Sequence, residues 1–394
     1  MSDETPQPDR LEGAPHPRET LQLIGQDSAE AAFLEAFNTG KLHHGWLLSG
    51  PRGVGKATLA WRIARFLLAT PDPDDGGMFA PEPARSLDIS PDHPVARRVA
   101  SGGEPGLKSV TRSVNPETKR LRQQIVVDDI RALNGFFQMS SADGGRRVVI
   151  IDAADDMNVN AANALLKMLE EPPARATLLL LSHQPSALLP TIRSRCRTLR
   201  LNTLGPDQMR AALAQSGVEI TADADALAAL SGGSVGAALR LSLLDGTRMY
   251  GELLGLMDTL PLMDRPRALK LAEAAAQRGA EEKRALLFNL IDLFLSRLAR
   301  TGATGAPPLP RVSPKEPSLL TRLSPDARQG RIWADVQQRV SARAQHGLAV
   351  NLDPAVLVLD TLLSISESAP SKAPQHDRHH PTCHHRQPLP SRLS

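Results

Sequence analysis

The chain has 394 residues, with 46 Lys and Arg against 43 Asp and Glu. This length predicts two or three domains, and the nearly balanced net charge of +3 excludes a polybasic tail protein or an acidic disordered one. The two cysteines, Cys196 and Cys383, are too few for a disulfide framework or a four-cysteine metal site. With no membrane-length apolar run and no secretory signal, we expect a soluble cytoplasmic protein.

Short strands alternate with helices over the first half of the chain. Residues 1–18 predict a flexible lead, and residues 70–122 predict irregular structure. Asp128 is the expected N-cap of a helix. Strands separated by helical crossovers predict a parallel sheet covered on both faces. The predicted strands are 46–48, 125–127, 148–151, 177–181 and 198–201, and the predicted helices are 56–69, 129–138 and 161–171.

The second half of the chain is predicted to be almost wholly helical. A small helical unit covers 206–246, a larger one covers 247–366, and the aperiodic segment 367–394 is expected to be disordered. The stretch 283–300 is apolar around much of its circumference, as in a buried helix. A membrane-surface helix is the alternative, which Asp292 and the lack of a strongly basic face disfavour.

A glycine-rich loop follows the first strand and opens a helix. Gly50, Gly53 and Gly55 would let backbone N–H groups face a polyphosphate, and Lys56 would lie between the outer phosphates. This context predicts a P-loop, against the alternative of a glycine-rich turn without a ligand. P-loops carry Ser or Thr after the lysine to bind magnesium, but this chain has Ala57. Thr58 follows, turned by about 100° around the helix, so it should not substitute cleanly.

A hydrophobic strand ends in the carboxylate of Asp152. In P-loop proteins such an aspartate holds the magnesium shell, and the alternative is an N-cap or surface residue. The next residue is Ala153, where many such ATPases have a glutamate that polarises water, and an alanine cannot act as a general base. Asp155 and Asp156 lie past the strand end and are expected to be exposed to solvent.

Four segments together closely resemble the clamp-loader family of bacterial DNA polymerase III. The resemblance implies an α/β AAA+ P-loop domain over 19–205, an all-α lid over 206–246 and a helical collar over 247–366. It also implies a five-subunit partial ring with gamma/tau ATPase subunits and a delta subunit. That ring places a sliding clamp on primed DNA and uses ATP bound between subunits. The four segments are HHGWLLSGPRGVGKAT (43–58), IDAADDMNVNAANALLKMLEEPP (151–173), LLLLSHQPSALLPTIRSRCRTL (178–199) and SGGSVGAALRL (231–241).

Three catalytic elements of active family members are missing. Ala57 replaces the P-loop hydroxyl, Ala153 replaces the acidic partner of Asp152, and Gly236 stands where the lid carries an arginine. The resemblance therefore implies a subunit of a polymerase holoenzyme that has neither ATPase nor polymerase activity of its own. The alternatives are an active ATPase like gamma/tau and a nucleic-acid-binding module acting alone. Scarce aromatics, at 3%, disfavour the second alternative.

Arg195, in the string Ser194-Arg195-Cys196, carries the remaining catalytic feature. In the family this arginine enters the ATP site of the next subunit as an arginine finger, and such fingers are worth roughly 10³–10⁵ in rate. The alternative is a structural or surface arginine. Cys196 is expected to be a small core residue, because no neighbouring His or Asp would activate it.

Several other polar groups have two interpretations. Ser182 or His183 could contact a nucleotide or make a strand-end hydrogen bond, and His43 and His44 predict a surface or packing pair. Residues 97–122 hold seven Lys or Arg against two Glu, which suits a solvated basic loop or a loose contact with DNA.

The sequence predicts no required cofactor and leaves ATP or ADP binding without hydrolysis open. Better-known family members carry a four-cysteine zinc module between residues 71 and 124, but this chain has no cysteine before Cys196, so no zinc is expected. A histidine cluster in the tail could bind transition metals adventitiously, although a disordered tail offers no supporting scaffold. Its members are His376, His379, His380, Cys383, His384 and His385.

Overall fold

The computed structural model describes residues 8–11, 13–71, 82–138, 145–220 and 222–370. Its first half contains a sheet of five strands, all of them parallel. The strands are β1 (Gly45–Ser49), β2 (Leu107–Val110), β3 (Arg147–Ile151), β4 (Ala176–Ser182) and β5 (Arg197–Arg200). Their order across the sheet is β2-β3-β4-β1-β5, so the P-loop strand β1 lies between β4 and β5. The predicted parallel-sheet class is confirmed.

Helices cover both faces of the sheet because its strands are apolar on both sides. Trp46 and Leu48 of β1 join one core cluster with helices on that face, while Leu47 points into the cluster on the other face. The predicted helix over 56–69 is confirmed, with the same first and last residues. The helices of this half are α1 (Asp27–Asn38), α2 (Lys56–Ala69), α3 (Pro94–Ser101), α4 (Val127–Gln138), α5 (Val159–Glu170) and α6 (Pro190–Arg193).

The second half is helical, as predicted, and shares one continuous hydrophobic core that runs from Leu204 to Ile365. The helices are α7 (Pro206–Ala214), α8 (Ala224–Ser231), α9 (Val235–Leu243), α10 (Gly246–Met257), α11 (Arg265–Ala276), α12 (Glu281–Thr304), α13 (Glu316–Leu323), α14 (Ala327–Ala349) and α15 (Pro354–Glu367). Gly302 and Gly330 allow α12 and α14 to touch, since a Cβ on Gly302 would lie 2.7 Å from the Gly330 Cα. The domain boundaries near 205 and 246 stay predictions.

The predicted strand at 125–127 is wrong. Ile125 makes only an isolated bridge to Met157, and Val127 already begins α4. One of the two edge strands of the sheet is instead β2, which lies inside the segment that was expected to be irregular, and α3 lies there as well. An edge strand has a neighbour on one side only, so β2 needs less apolar sequence than a central strand.

Two predictions about local structure also differ from the fold. Asp128 lies in the first turn of α4 rather than at its N-cap, and the carboxylate of Asp129 accepts a hydrogen bond from the Val126 N–H at 2.9 Å. Within the predicted flexible lead, His16 is buried; its ring meets the edge of Trp61 with the centroids 5.8 Å apart.

The histidine-rich tail and its predicted metal binding lie outside the described residues, which end at position 370. Among the helices in the described ranges, none is long and apolar enough to cross a membrane. The stretch 283–300 lies within α12, where Leu290, Phe294 and Leu298 are buried in the helical core. The interpretation of this stretch as a buried helix is therefore confirmed.

Candidate functional site

The glycine-rich loop lies at the carboxyl edge of the sheet, between the end of β1 and the start of α2. Gly53 and Gly55 adopt φ values of 72° and 102°, which side chains rarely tolerate, so glycine is required to turn the loop. Lys56 is the first residue of α2. The chain therefore forms the strand–loop–helix context that the P-loop motif requires.

The ammonium of Lys56 is held by the loop that it follows. Its Nζ donates to the carbonyl oxygen of Gly50 at 2.6 Å and to that of Pro51 at 2.5 Å, and the residue is only 3% exposed. Burial lowers the pKa of Lys56 to about 8, against the opposing influence of the Asp152 and Asp155 carboxylates. A phosphate would have to draw this lysine away from two carbonyl contacts.

The amino end of α9 is hydrogen-bonded directly to the P-loop. Ser234 Oγ donates to the Arg52 carbonyl at 2.8 Å, and the Gly236 N–H donates to the Gly53 carbonyl at 3.0 Å. A Cβ on Gly236 would lie 3.0 Å from the Gly53 Cα. Gly236 stands where the clamp-loader resemblance implies an arginine in active members, and here it lets the backbone of α9 come close to that of Gly53.

The residues present fit the phosphate-binding half of a nucleotide site but not its magnesium half. Ala57 packs its methyl group against the core beside α2 and offers no oxygen. Thr58, half-buried, lies one residue further around the helix. Asp152 follows β3, and burial, followed by the nearby Asp9 carboxylate, raises its pKa to about 6. At neutral pH this carboxyl is therefore still mostly ionised, so the missing oxygen at Ala57 is the main defect of the magnesium half.

The carboxylate of Asp155 is hydrogen-bonded to residues at the end of β4. It accepts hydrogen bonds from Ser182 Oγ at 2.6 Å and from the backbone N–H of His183. The interpretation of Ser182 as a strand-end hydrogen-bonding residue is confirmed, whereas His183 bonds only through its backbone and its Nδ1 is buried with no partner among the described residues. The expectation that Asp155 is exposed to solvent is wrong, because the residue is only partly exposed. Asp156 is also only partly exposed and pairs with Arg112 at 3.3 Å. Both aspartates are therefore engaged in contacts within the chain.

Arg195 lies at the amino end of the parallel strands, whereas the P-loop lies at their carboxyl end. A Cβ on Gly45, the first residue of β1, would lie 3.1 Å from the Arg195 carbonyl, whereas the P-loop follows Ser49 at the other end of β1. At about 3.3 Å per residue, the two ends of this strand are roughly 13 Å apart. The Arg195 side chain is 37% exposed, and its guanidinium contacts Glu170 at 2.9 Å.

The structure therefore gathers Gly50, Gly53, Gly55, Lys56 and Asp152 at one edge of the sheet and separates Arg195 from them. Cys196 is half-buried beside the α5 core, as expected of a packing residue, and burial raises its pKa to about 12.

Two contacts that the sequence did not predict stand out. The first is the bond from Ser234 to the P-loop, which joins residues 182 positions apart. The second is the pairing of Arg195 with Glu170. His43 and His44 stack with ring centroids 4.3 Å apart, which confirms a packing pair.

A parallel sheet with a glycine-rich loop between its first strand and the helix that follows, together with a helical second half, defines a P-loop fold. Residues 25–205 match the family model described as DNA polymerase III, delta subunit. DNA polymerase III subunit delta' of Pseudomonas aeruginosa is 40% identical over 199 residues, which are 50% of this chain and 55% of the relative. Subunit delta' of Bacillus subtilis is 32% identical over 166 residues, 42% of this chain and 44% of the relative.

Subunit gamma/tau of Mycobacterium tuberculosis is 30% identical over 290 residues, 68% of this chain and 45% of the relative. The chain thus spans about half the length of these relatives. Together the matches support membership of the delta-prime clamp-loader family of DNA polymerase III, as the sequence motifs predict.

Proposed function

We propose that this chain is a non-hydrolysing, delta-prime-type subunit of a DNA polymerase III clamp loader. In this role it contributes Arg195 to the ATP site of a neighbouring gamma/tau-type subunit. The observation that carries the proposal is the position of Arg195, which is half-exposed and lies at the opposite end of β1 from its own P-loop. An arginine in that position cannot reach phosphates bound to its own chain, but a neighbour packed against that edge could receive it.

The defects of the chain's own site support the same proposal. Ala57 removes the magnesium hydroxyl, Ala153 removes the water-polarising carboxylate, and the backbone of Gly236 occupies the lid position closest to the P-loop. Lys56 is already bound by two carbonyls. The chain therefore needs no nucleotide for its role, and any ATP or ADP that binds would remain unhydrolysed.

The test is reconstitution of a clamp loader from this chain with gamma/tau, delta, sliding clamp and primed DNA. Arg195→Ala should remove most of the DNA-stimulated hydrolysis at the site that receives it, while size-exclusion chromatography shows an intact assembly. Arg193→Ala is the matched control, because Arg193 is an exposed arginine whose Nη1 donates to the Pro185 carbonyl at 3.3 Å and which has no ion pair among the described residues. Normal hydrolysis by an intact Arg195→Ala assembly would refute the finger assignment.

An ATP-hydrolysing subunit is the second candidate, because gamma/tau relatives also match the chain. It predicts magnesium-dependent ATP turnover by the isolated chain, abolished by Lys56→Ala. Turnover of that kind would replace the first proposal. Either role belongs beside DNA, in the nucleoid-associated replisome of the bacterial cytoplasm, among protein partners and away from membranes.

A further inference from the structure

The carboxyl end of α5 is fixed against the amino edge of the sheet, which is the edge that carries Arg195. His44 Nε2 donates to the Leu169 carbonyl at 2.9 Å, and burial lowers the pKa of His44. The Leu169 side chain lies against Gly45 at the start of β1. These contacts hold the backbone of Glu170, the last residue of α5, in a defined place.

The guanidinium of Arg195 is contacted on both of its terminal nitrogens. Nη2 lies 2.9 Å from Glu170 Oε1, and Nη1 donates to the Thr191 carbonyl at 3.1 Å. A guanidinium has five N–H donors, so these two contacts leave three for another anion. A long, half-exposed side chain otherwise samples many rotamers, and fixing it at the moment of reaction costs conformational entropy.

We propose that Glu170 is a positioning residue for Arg195, an inference that rests on the proposed function. The carboxylate holds one end of the guanidinium while the remaining N–H donors face the phosphates of the neighbouring subunit. Glu170 touches neither the nucleotide nor the attacking water and acts only through Arg195. Its contribution is to keep the guanidinium in one orientation before the neighbour's transition state forms.

The experiment compares five variants in the reconstituted assembly, one of them Arg195→Ala alone, with kcat and KM for ATP measured separately. Glu170→Ala should lower kcat at the receiving site about 2- to 5-fold, the scale of an exposed ion pair, with KM unchanged. Glu170→Gln keeps an acceptor oxygen and should restore most of the activity. In an Arg195→Ala background, Glu170→Ala should cause no further loss. Glu171→Ala is the matched control, an exposed neighbour with no side-chain partner among the described residues.

Each contrary outcome shows whether the positioning role of Glu170 or the proposed function is wrong. Wild-type kcat in Glu170→Ala, with a loss in Arg195→Ala, overturns the positioning role and leaves the proposed function intact. A rise in kcat for Glu170→Ala also overturns it, because the carboxylate would then restrain the finger. An additive loss in the double variant shows that Glu170 acts independently of Arg195. A silent Arg195→Ala refutes the proposed function and this inference with it.

Discussion

A buried ion pair in the helical half gives the sharpest stability prediction. Glu316 is fully buried, and its carboxylate accepts from Arg297 Nε at 2.8 Å, from Arg297 Nη2 at 2.9 Å and from the Tyr250 hydroxyl at 2.7 Å. It also accepts from the Val312 N–H at 3.0 Å. One carboxylate thus joins α10, α12 and α13 to the proline-rich loop between α12 and α13.

Glu316→Ala leaves the buried Arg297 charge without its counter-ion, and removing one partner of such a pair typically costs about 3–5 kcal/mol. Tyr250→Phe removes one hydrogen bond to a charged group and should cost about 1.5–3 kcal/mol. Arg297→Met combined with Glu316→Leu should recover much of the loss, because apolar replacement of a buried pair is often neutral.

The assay is urea unfolding followed by far-ultraviolet circular dichroism, with Glu273→Ala on the exposed face of α11 as the control. The control should change the unfolding free energy by less than about 0.5 kcal/mol. A loss below about 1 kcal/mol for Glu316→Ala would show that Arg297 finds water when its partner is removed. The inference that this pair is buried and essential to the loop would then be wrong.

Three further predictions concern the P-loop edge. The folded state raises the pKa of Asp152 above its unfolded value, so the free energy of unfolding should fall as pH rises from about 4 through about 6. Asp152→Asn should therefore stabilise the chain by about 1–3 kcal/mol at pH 8 and by little at pH 4, as measured by urea unfolding. Gly53→Ala places a Cβ 2.4 Å from Ser234 Oγ and should lower the melting temperature more than Gly232→Ala, which has similar φ but open space. Ala57→Thr should make nucleotide binding depend on magnesium, as measured by calorimetry. It should not produce hydrolysis, because Ala153 is unchanged. Hydrolysis by this variant would contradict the argument that several defects act together.

Most of the sheet could be predicted from its sequence because β1, β3 and β4 are central strands with apolar residues on both faces. The prediction of a strand at 125–127 was wrong. Ile-Val-Val has high β propensity, but tertiary contacts place Ile125 beside Met157, and Val127 is the first residue of α4. The edge strand β2, Leu-Lys-Ser-Val, is short and half-exposed, so its sequence carries little strand signal.

In the candidate site, residues of one contiguous motif could be predicted from sequence, whereas contacts between distant segments could not. The identity of the P-loop residues follows from a contiguous motif, so Gly50 to Lys56 could be placed from sequence alone. The bond between Ser234 and Arg52 and the pairing of Arg195 with Glu170 depend on how distant segments pack. No periodicity or local motif encodes a contact across 182 positions.

Under the proposed function, the two ends of the strands explain how a nucleotide site without hydrolysis and an arginine finger can occur in one chain. In a ring where each ATP site lies between subunits, every subunit presents a nucleotide edge to one neighbour and a finger edge to the other. Here the nucleotide edge has lost the oxygen at position 57, while the finger edge keeps Arg195 exposed and paired with Glu170. Since β1 separates the edges by roughly 13 Å, changes at the P-loop need not disturb the finger. Under the proposed function, such a chain serves a neighbour on one side only, which suits a subunit at the end of a row of ATP sites.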